Sequence, residues 1–282
     1  MMSFDDFPVT PARTVDSKRY YRAYLQARDV IQSAQAGYRR ALPNGTLMDL
    51  AHQLYTENED FNALFRARHD ASDVGTLIWL SRVRSIAEWS VASGLVTEFR
   101  GLDRAIIEEV AHSSLSIDST KGLDSLLARN GIILVHELAM PGTKVDGCCF
   151  RLDSGHAVIG LSLRFARLDN YYFTLAHELA HIFLHSEHLA SPIIDDLEEP
   201  NNGDVLEIQA NRFARDVLIP RNEWRTCPAR TSLQEDDVRD FATKIGVSPQ
   251  IVAGRLRWEL RRHDLFAGLI HETDVRELLI NA

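Results

Sequence analysis

The sequence predicts an α+β fold in which an all-helical N-terminal region is followed by a small β-sheet packed on helices. Two observations predict this fold. Apolar residues recur at helical spacing as far as about residue 129, and three short β-rich runs follow before long helical patterns return at Tyr171.

The N-terminal region contains five segments with helical spacing. A turn at Pro43-Asn44-Gly45 separates the first two, and residues 1–15 are expected to form a loose tail. The predicted helices run from Ser17 to about Ala41, Leu47 to about Arg68, Val74 to Ala92, Asp103 to His112 and Lys121 to Arg129.

The β-rich runs are short and apolar, and an Asp153-Ser154-Gly155 turn separates the second from the third. They cover Gly131 to Val135, Cys148 to Leu152 and Ala157 to Leu163. A long helix is predicted from Tyr171 to about His185, then an irregular acidic stretch from Ser186 to Asn202, and a helix from about Asp204 to Leu218 that Pro220 stops. A helix–turn–helix follows, from Asp236 to Lys244 and from Pro249 to about Arg261, with Ser248 as N-cap.

Composition limits the functional classes. The formal net charge is −9, which disfavours wholesale binding to nucleic acid. The N-terminus MMSFDDFPVT has no apolar core of a secretory signal, and no apolar run is long enough to span a bilayer. Three cysteines do not make a disulfide framework, so we expect a cytoplasmic protein with no membrane partner.

The strongest chemical signal is the stretch FTLAHELAHIFLH, which contains an HExxH motif. On a helix, His177 and His181 lie one turn apart on one face and can reach the same ion at about 2.0–2.1 Å. Glu178 can then reach a water on that ion. The alternative is a helix with two surface histidines. However, the flanking residues are apolar, which predicts a buried helix, and two histidines are costly to bury without a partner.

Glu207, which opens the next helix, is the candidate third ligand, and Asn211 lies one turn later where it could orient the carboxylate. The alternative for Glu207 is an acid that favours the positive end of the helix dipole. Competing acids are Asp204 and two pairs in the irregular stretch, which we interpret as solvated loop. The pairs are Asp195-Asp196 and Glu198-Glu199.

HELAHIFLH followed by E-x-x-A-N-R-F-A-R-D-x-L-I-P resembles the ImmA/IrrE family of metallopeptidases. The resemblance implies a zincin-like domain, Zn²⁺ ligands at His177, His181 and Glu207, and Glu178 as catalytic base. It extends from about Val74 to the C-terminus and is closest to members fused behind a HigA-type antitoxin. We therefore predict two domains. Residues 1–73 form a helical region that could be a degenerate DNA-binding or sensor module, and residues 74–282 form a metallopeptidase domain.

Two functions follow from this resemblance. The first is a zinc metalloendopeptidase that cleaves a transcriptional repressor or antitoxin, often encoded nearby, in a stress or phage-related response. The alternative is a non-catalytic HigA-like regulator that binds a partner protein through the peptidase fold. No phage-repressor-type DNA-reading motif is evident in residues 17–70, so direct DNA binding is not expected.

Several nearby residues have two interpretations each. Tyr171 and Tyr172 are oxyanion donors or, as we favour, core residues. His185 extends the histidine ladder and is interpreted as a neighbour of the site, not a ligand. Cys148 or Cys149 could hold the metal in a latent state, although a buried free thiol is the commoner case.

The strand Ala157 to Leu163 could pair with an extended substrate. Arginines of the last predicted helix and its end, Arg255, Arg257, Arg261 and Arg262, are expected to serve packing or partner recognition.

Overall fold

The computed structural model describes residues 16–33, 39, 42, 45–56, 71–140, 142–195 and 204–280. The chain divides into two compact units, residues 1–81 and 82–282. The predicted tail, the residues Pro43 and Asn44 of the first turn, and the ends of the first two predicted helices lie outside the described residues. The division at residue 73 stays a prediction.

In the first unit, helix α1 (Ser17–Ser33) packs against α2 (Thr46–Thr56). Tyr20 and Tyr55 meet edge to face with ring centroids 5.3 Å apart. The Tyr55 hydroxyl also accepts a hydrogen bond of 3.0 Å from the backbone N–H of Asp16. Small residues, Ala23 and Ala27, are buried on α1, which lets the two helices approach closely.

Helix α3 (Ala71–Ala92) contains the boundary between the units. The second unit adds helices before, between and after the strands. They are α4 (Arg104–His112), α5 (Ile117–Lys121), α6 (Leu123–Ala128), α7 (Leu168–Leu184), α8 (Val205–Leu218), α9 (Arg221–Arg225), α10 (Ala229–Ser232), α11 (Glu235–Ile245), α12 (Pro249–Leu260), α13 (Ala267–Ile270) and α14 (Val275–Ile280). Short 3₁₀ turns cover Ser113–Leu115 and Ser186–His188.

The sheet contains β1 (Ile132–His136), β2 (Gly147–Arg151), β3 (Ala157–Leu161) and β4 (Ile193–Asp195). The spatial order is β1-β3-β2-β4. Strand β3 runs parallel to β1 and antiparallel to β2, and β2 runs antiparallel to β4. The predicted α+β class and the three predicted strands are confirmed, with ends that differ by one or two residues.

The position of β3 corrects the expected substrate-pairing strand. Because β3 is bonded to β1 on one side and β2 on the other, the predicted strand Ala157 to Leu163 has no free edge along its paired residues for a peptide. Every residue of β3 is buried, as expected for a central strand. Strand order depends on pairing between distant segments, so the sequence pattern could not reveal it.

Two further predictions about elements need correction. The expected helix from Lys121 to Arg129 is two short helices, α5 and α6, separated at Gly122. The stretch Ser186 to Asn202 is not wholly irregular, because β4 lies within it and pairs with β2. A three-residue strand is too short for its alternation to be recognised in a sequence.

Helices α11 and α12 form the predicted helix–turn–helix. Gly246 joins them with φ +75°, and the Ser248 hydroxyl accepts a hydrogen bond from the Gln250 N–H at the start of α12. Helix α12 packs against α7 at a close approach, since a Cβ on Gly254 would overlap the carboxylate of Asp169.

Two arginines of α12 are engaged inside this unit. The Arg255 guanidinium lies 4.3 Å from the ring centroid of Trp224 and donates to the Ile219 carbonyl at 3.0 Å. Arg257 is buried and donates to the carbonyl of His263.

Within the described residues, no helix has the length and apolar character that a bilayer crossing requires.

A methyl group on Gly254 overlaps Asp169, and such overpacking costs about 1–3 kcal/mol. Alanine recovers about 1 kcal/mol as a better helix former, so Gly254→Ala should lower the free energy of unfolding by up to about 2 kcal/mol. Chemical denaturation measures it.

Gly268→Ala is the matched control, because nothing lies within 4 Å of a Cβ at that helical position. It should be neutral or stabilising by less than about 1 kcal/mol. Equal effects of the two substitutions would contradict the close approach of α12 to α7.

Candidate metal centre

Helix α7 buries ionisable side chains among apolar ones. His177, Glu178 and His181 are each 0% exposed, and Leu175 and Leu179 beside them are also fully buried. Burying such groups costs several kcal/mol unless they are paired. The structure must therefore supply partners for them from other elements.

The two histidines meet as their spacing predicts. Their ring centroids are 4.7 Å apart and their Nε2 atoms are 3.0 Å apart, one helical turn along the same face of α7. Both Nε2 atoms point to one location, as two ligands of a shared ion would.

Glu207 of α8 faces both imidazoles. Its Oε2 lies 3.2 Å from Nε2 of His177, and its Oε1 lies 3.2 Å from Nε2 of His181. Helix α8 begins at this point because the Asp204 side chain caps it, accepting from the Leu206 N–H at 2.9 Å. Ala210 is fully buried further along α8, where a small side chain permits close packing. The predicted third residue is thus brought to the two histidines.

Asp195 is a fourth member of this group, and the interpretation of Asp195 as solvated loop is wrong. Its side chain is 5% exposed, with Oδ2 lying 3.2 Å from Nε2 of His177 and 3.8 Å from Nε2 of His181. Pairing of β4 with β2 places it there, since Asp195 is opposite Gly147. The neighbouring acids Asp196, Glu198 and Glu199 lie outside the described residues.

The donor set fits a divalent metal ion. Ligand atoms of His177, His181, Asp195 and Glu207 all lie within 4.8 Å of one another. For metal–ligand bonds of about 2.0–2.1 Å, tetrahedral ligands are about 3.3–3.4 Å apart. The measured separations of 3.0–3.8 Å bracket that value. Two imidazoles with carboxylates are a donor set typical of zinc.

The charges in the group perturb one another. Burial opposes ionisation of Glu207, but its hydrogen bonds to His177 and His181 hold its pKa well below the ordinary value. Burial likewise lowers the pKa of His177, yet Asp195 and Glu207 outweigh it and raise that pKa to about 9. The Asp195 and Glu207 carboxylates therefore favour positive charge beside Nε2 of His177, and a bound cation would supply that charge.

Glu178 occupies a different environment from Glu207. Burial, and then the negative charge of Asp195, raise its pKa well above the ordinary value. The Cys149 thiol is its other polar neighbour, and neither carboxylate oxygen makes a well-formed hydrogen bond within the described residues. A Cβ on Gly147 would overlap Oε1 of Glu178, so glycine leaves the space that the carboxylate fills.

The remaining predicted residues lie around the group. Tyr171 and Tyr172 are core residues, as favoured: their hydroxyls bond Nε2 of His136 at 3.1 Å and Oγ1 of Thr120 at 2.8 Å. Cys148 and Cys149 are buried free thiols outside the four-residue group.

Asn211, expected to orient Glu207, makes no hydrogen bond to it within the described residues. Gln209, on the same helix, instead bonds His185 at 2.8 Å. Sequence spacing gave no signal for Gln209, because its role depends on how α8 is rotated against α7.

Comparison with protein families gives a match. Residues 129–257 match the family model of peptidase family M78 described as the IrrE N-terminal-like domain. No curated protein and no solved structure matches the chain. The matched segment contains all four residues of the group and Glu178. Residues 129–257 thus carry a domain of the ImmA/IrrE family, a family of metallopeptidases.

Proposed function

We propose that this chain is a zinc-dependent endopeptidase in which His177, His181 and Glu207 hold the metal and Glu178 is the catalytic base. The convergence of these three ligand groups from two helices is the observation that carries the proposal. The match of residues 129–257 to a peptidase family supports it.

Zn²⁺ held by these residues would supply Lewis acidity, which makes a water molecule acidic near pH 7 and polarises a peptide carbonyl. Glu178 would take one proton from that water while the oxygen of the water bonds to the carbonyl carbon of the peptide. Glu178 would then give the proton to the amine nitrogen as the C–N bond breaks. The raised pKa of Glu178 favours holding the proton on its carboxyl group between the two transfers.

The two glutamates receive different tasks from their surroundings. Glu207 touches two imidazoles and stays ionised, which suits a ligand. Glu178 is buried near the carboxylate of Asp195, an environment that suits a group that carries a proton. The paired environments thus favour the same division of roles that the motif predicts.

The proposed substrate is a transcriptional repressor or antitoxin, as the resemblance implies, cleaved in a stress or phage-related response. A protein substrate presents an extended segment, and β4 is the edge strand beside the metal group. Direct DNA binding is not part of this proposal. The internal engagement of Arg255 and Arg257 supports a packing role for α12 instead.

Glu178→Gln should lower kcat/KM for peptide cleavage by about 10²–10⁴-fold, because the amide cannot accept the water proton. Zinc affinity should remain unchanged, since Glu178 is not among the ligand groups. Cleavage of a proteome-derived peptide library, followed by mass spectrometry, measures the first, and competition with a chromophoric chelator measures the second.

Glu187→Gln is the control, because that side chain is 67% exposed and outside the group. Wild-type cleavage by Glu178→Gln would contradict the assignment of the base.

One observation favours a second candidate, a non-catalytic regulator that binds a partner protein. Asp195 stands at the fourth corner of the group, near both histidines and Glu178. Four protein ligands make the closed coordination of a structural zinc site, whereas catalytic sites keep one position open. Peptidase activity therefore requires Asp195 to leave that corner. Asp195 lies on a three-residue edge strand, so the free-energy cost of this displacement is low.

Asp195→Ala should keep zinc bound through the other three residues and raise the rate of peptide cleavage, because the fourth corner is then open. Zinc competition and library cleavage measure both effects against Glu187→Ala. If the variant binds zinc more than about 100-fold more weakly and cleaves no peptide, the closed, non-catalytic site is favoured instead.

A further inference from the structure

We propose that His185 and Gln209 are positioning residues that fix the tautomer of His181, so that its Nε2 lone pair faces the metal position. The inference rests on the proposed function only in taking His181 as a ligand. It concerns two residues outside the four-residue group and gives the histidine ladder on α7 a chemical role.

Two hydrogen bonds form a chain that begins at α8. Oε1 of Gln209 lies 2.8 Å from Nε2 of His185. Nδ1 of His185 then lies 3.1 Å from Nδ1 of His181. His185 is 3% exposed, so its ring is shielded from solvent, whereas Gln209 is exposed. The chain ends where Nε2 of His181 faces His177 and Glu207.

The chemistry of each atom fixes where the protons lie. A carbonyl oxygen only accepts, so Nε2 of His185 carries a hydrogen and donates to Gln209. In neutral His185 the other nitrogen, Nδ1, is then an acceptor. The hydrogen between the two rings must therefore belong to Nδ1 of His181, so Nε2 is the nitrogen that His181 can offer to a metal ion. A metal ion binds only an imidazole nitrogen that carries no hydrogen.

The opposite orientation of the Gln209 amide would reverse every step. An N–H donor at that place would make Nε2 of His185 the acceptor, Nδ1 of His185 the donor and Nε2 of His181 the protonated atom. That arrangement blocks metal binding, so the acceptor end of Gln209 is the group that the site requires.

The two histidine ligands differ in this respect. Nδ1 of His177 has no hydrogen-bond partner within the described residues, whereas Nδ1 of His181 is held by His185. Helix α8 also carries both Glu207 and Gln209, so one helix supplies a ligand and sets the tautomer of another. A shift of α8 would disturb both functions together.

The first test reads the proton directly. Ring ¹⁵N NMR of the metal-free protein, with histidine labelled, should show a hydrogen on Nδ1 of His181 and, in His185, a hydrogen on Nε2 and none on Nδ1. A hydrogen on Nδ1 of His185 in wild-type protein would overturn the inference, whether or not the protein binds zinc.

The second test measures zinc affinity by competition with a chromophoric chelator. His185→Phe keeps a ring but removes the acceptor, and it should weaken zinc binding by about 10–100-fold. His185→Asn returns an acceptor near the place of Nδ1 and should recover most of the affinity. Gln209→Met leaves the charge unchanged at an exposed position, and it should also weaken zinc binding.

His188→Phe is the matched control, because that histidine is 51% exposed and outside the chain of hydrogen bonds. Unchanged affinity in both His185→Phe and Gln209→Met, with wild-type circular dichroism, would refute the positioning role. Absence of zinc binding by the wild type would instead contradict the proposed function, and the tautomer measurement would still decide this inference.

Discussion

Burial of ionisable side chains on α7 is the constraint on which the rest of the structure depends. His177, Glu178 and His181 have no exposed surface, so each needs either a partner or a shaped space from another element. Helix α8 supplies Glu207, β4 supplies Asp195, and β2 supplies the glycine that leaves room for Glu178. The order of strands and the close packing of α8 on α7 are what bring these groups together.

The same burial separates the roles of two carboxylates that lie close to one another. Contact with two imidazoles lowers the pKa of Glu207, whereas burial and the charge of Asp195 raise that of Glu178. Environment, not residue type, thus distinguishes the two carboxylates, and the proposed roles of ligand and proton carrier depend on that difference. Asp195 adds negative charge beside both histidines and Glu178, so the position of β4 affects the electrostatics of the group.

The parts of the site that the sequence predicted are those governed by local geometry. The spacing of His177 and His181 on one helix predicts their convergence, and the capped start of α8 together with the resemblance indicated Glu207. Asp195 escaped prediction because its position depends on a three-residue strand pairing with a distant one. The central place of β3 and the contact of Gln209 with His185 also depend on long-range packing, which periodicity does not encode.

The most direct test of the central claim is X-ray absorption spectroscopy at the zinc edge on protein loaded with one equivalent of Zn²⁺. We expect only nitrogen and oxygen ligands at about 2.0–2.1 Å, with the multiple-scattering signature of two imidazoles that falls to one in His177→Ala. A sulfur ligand at about 2.3 Å would place a cysteine on the metal, and an ion without imidazole ligands would show that α7 does not bind it. Either result would contradict the metal centre described for this fold.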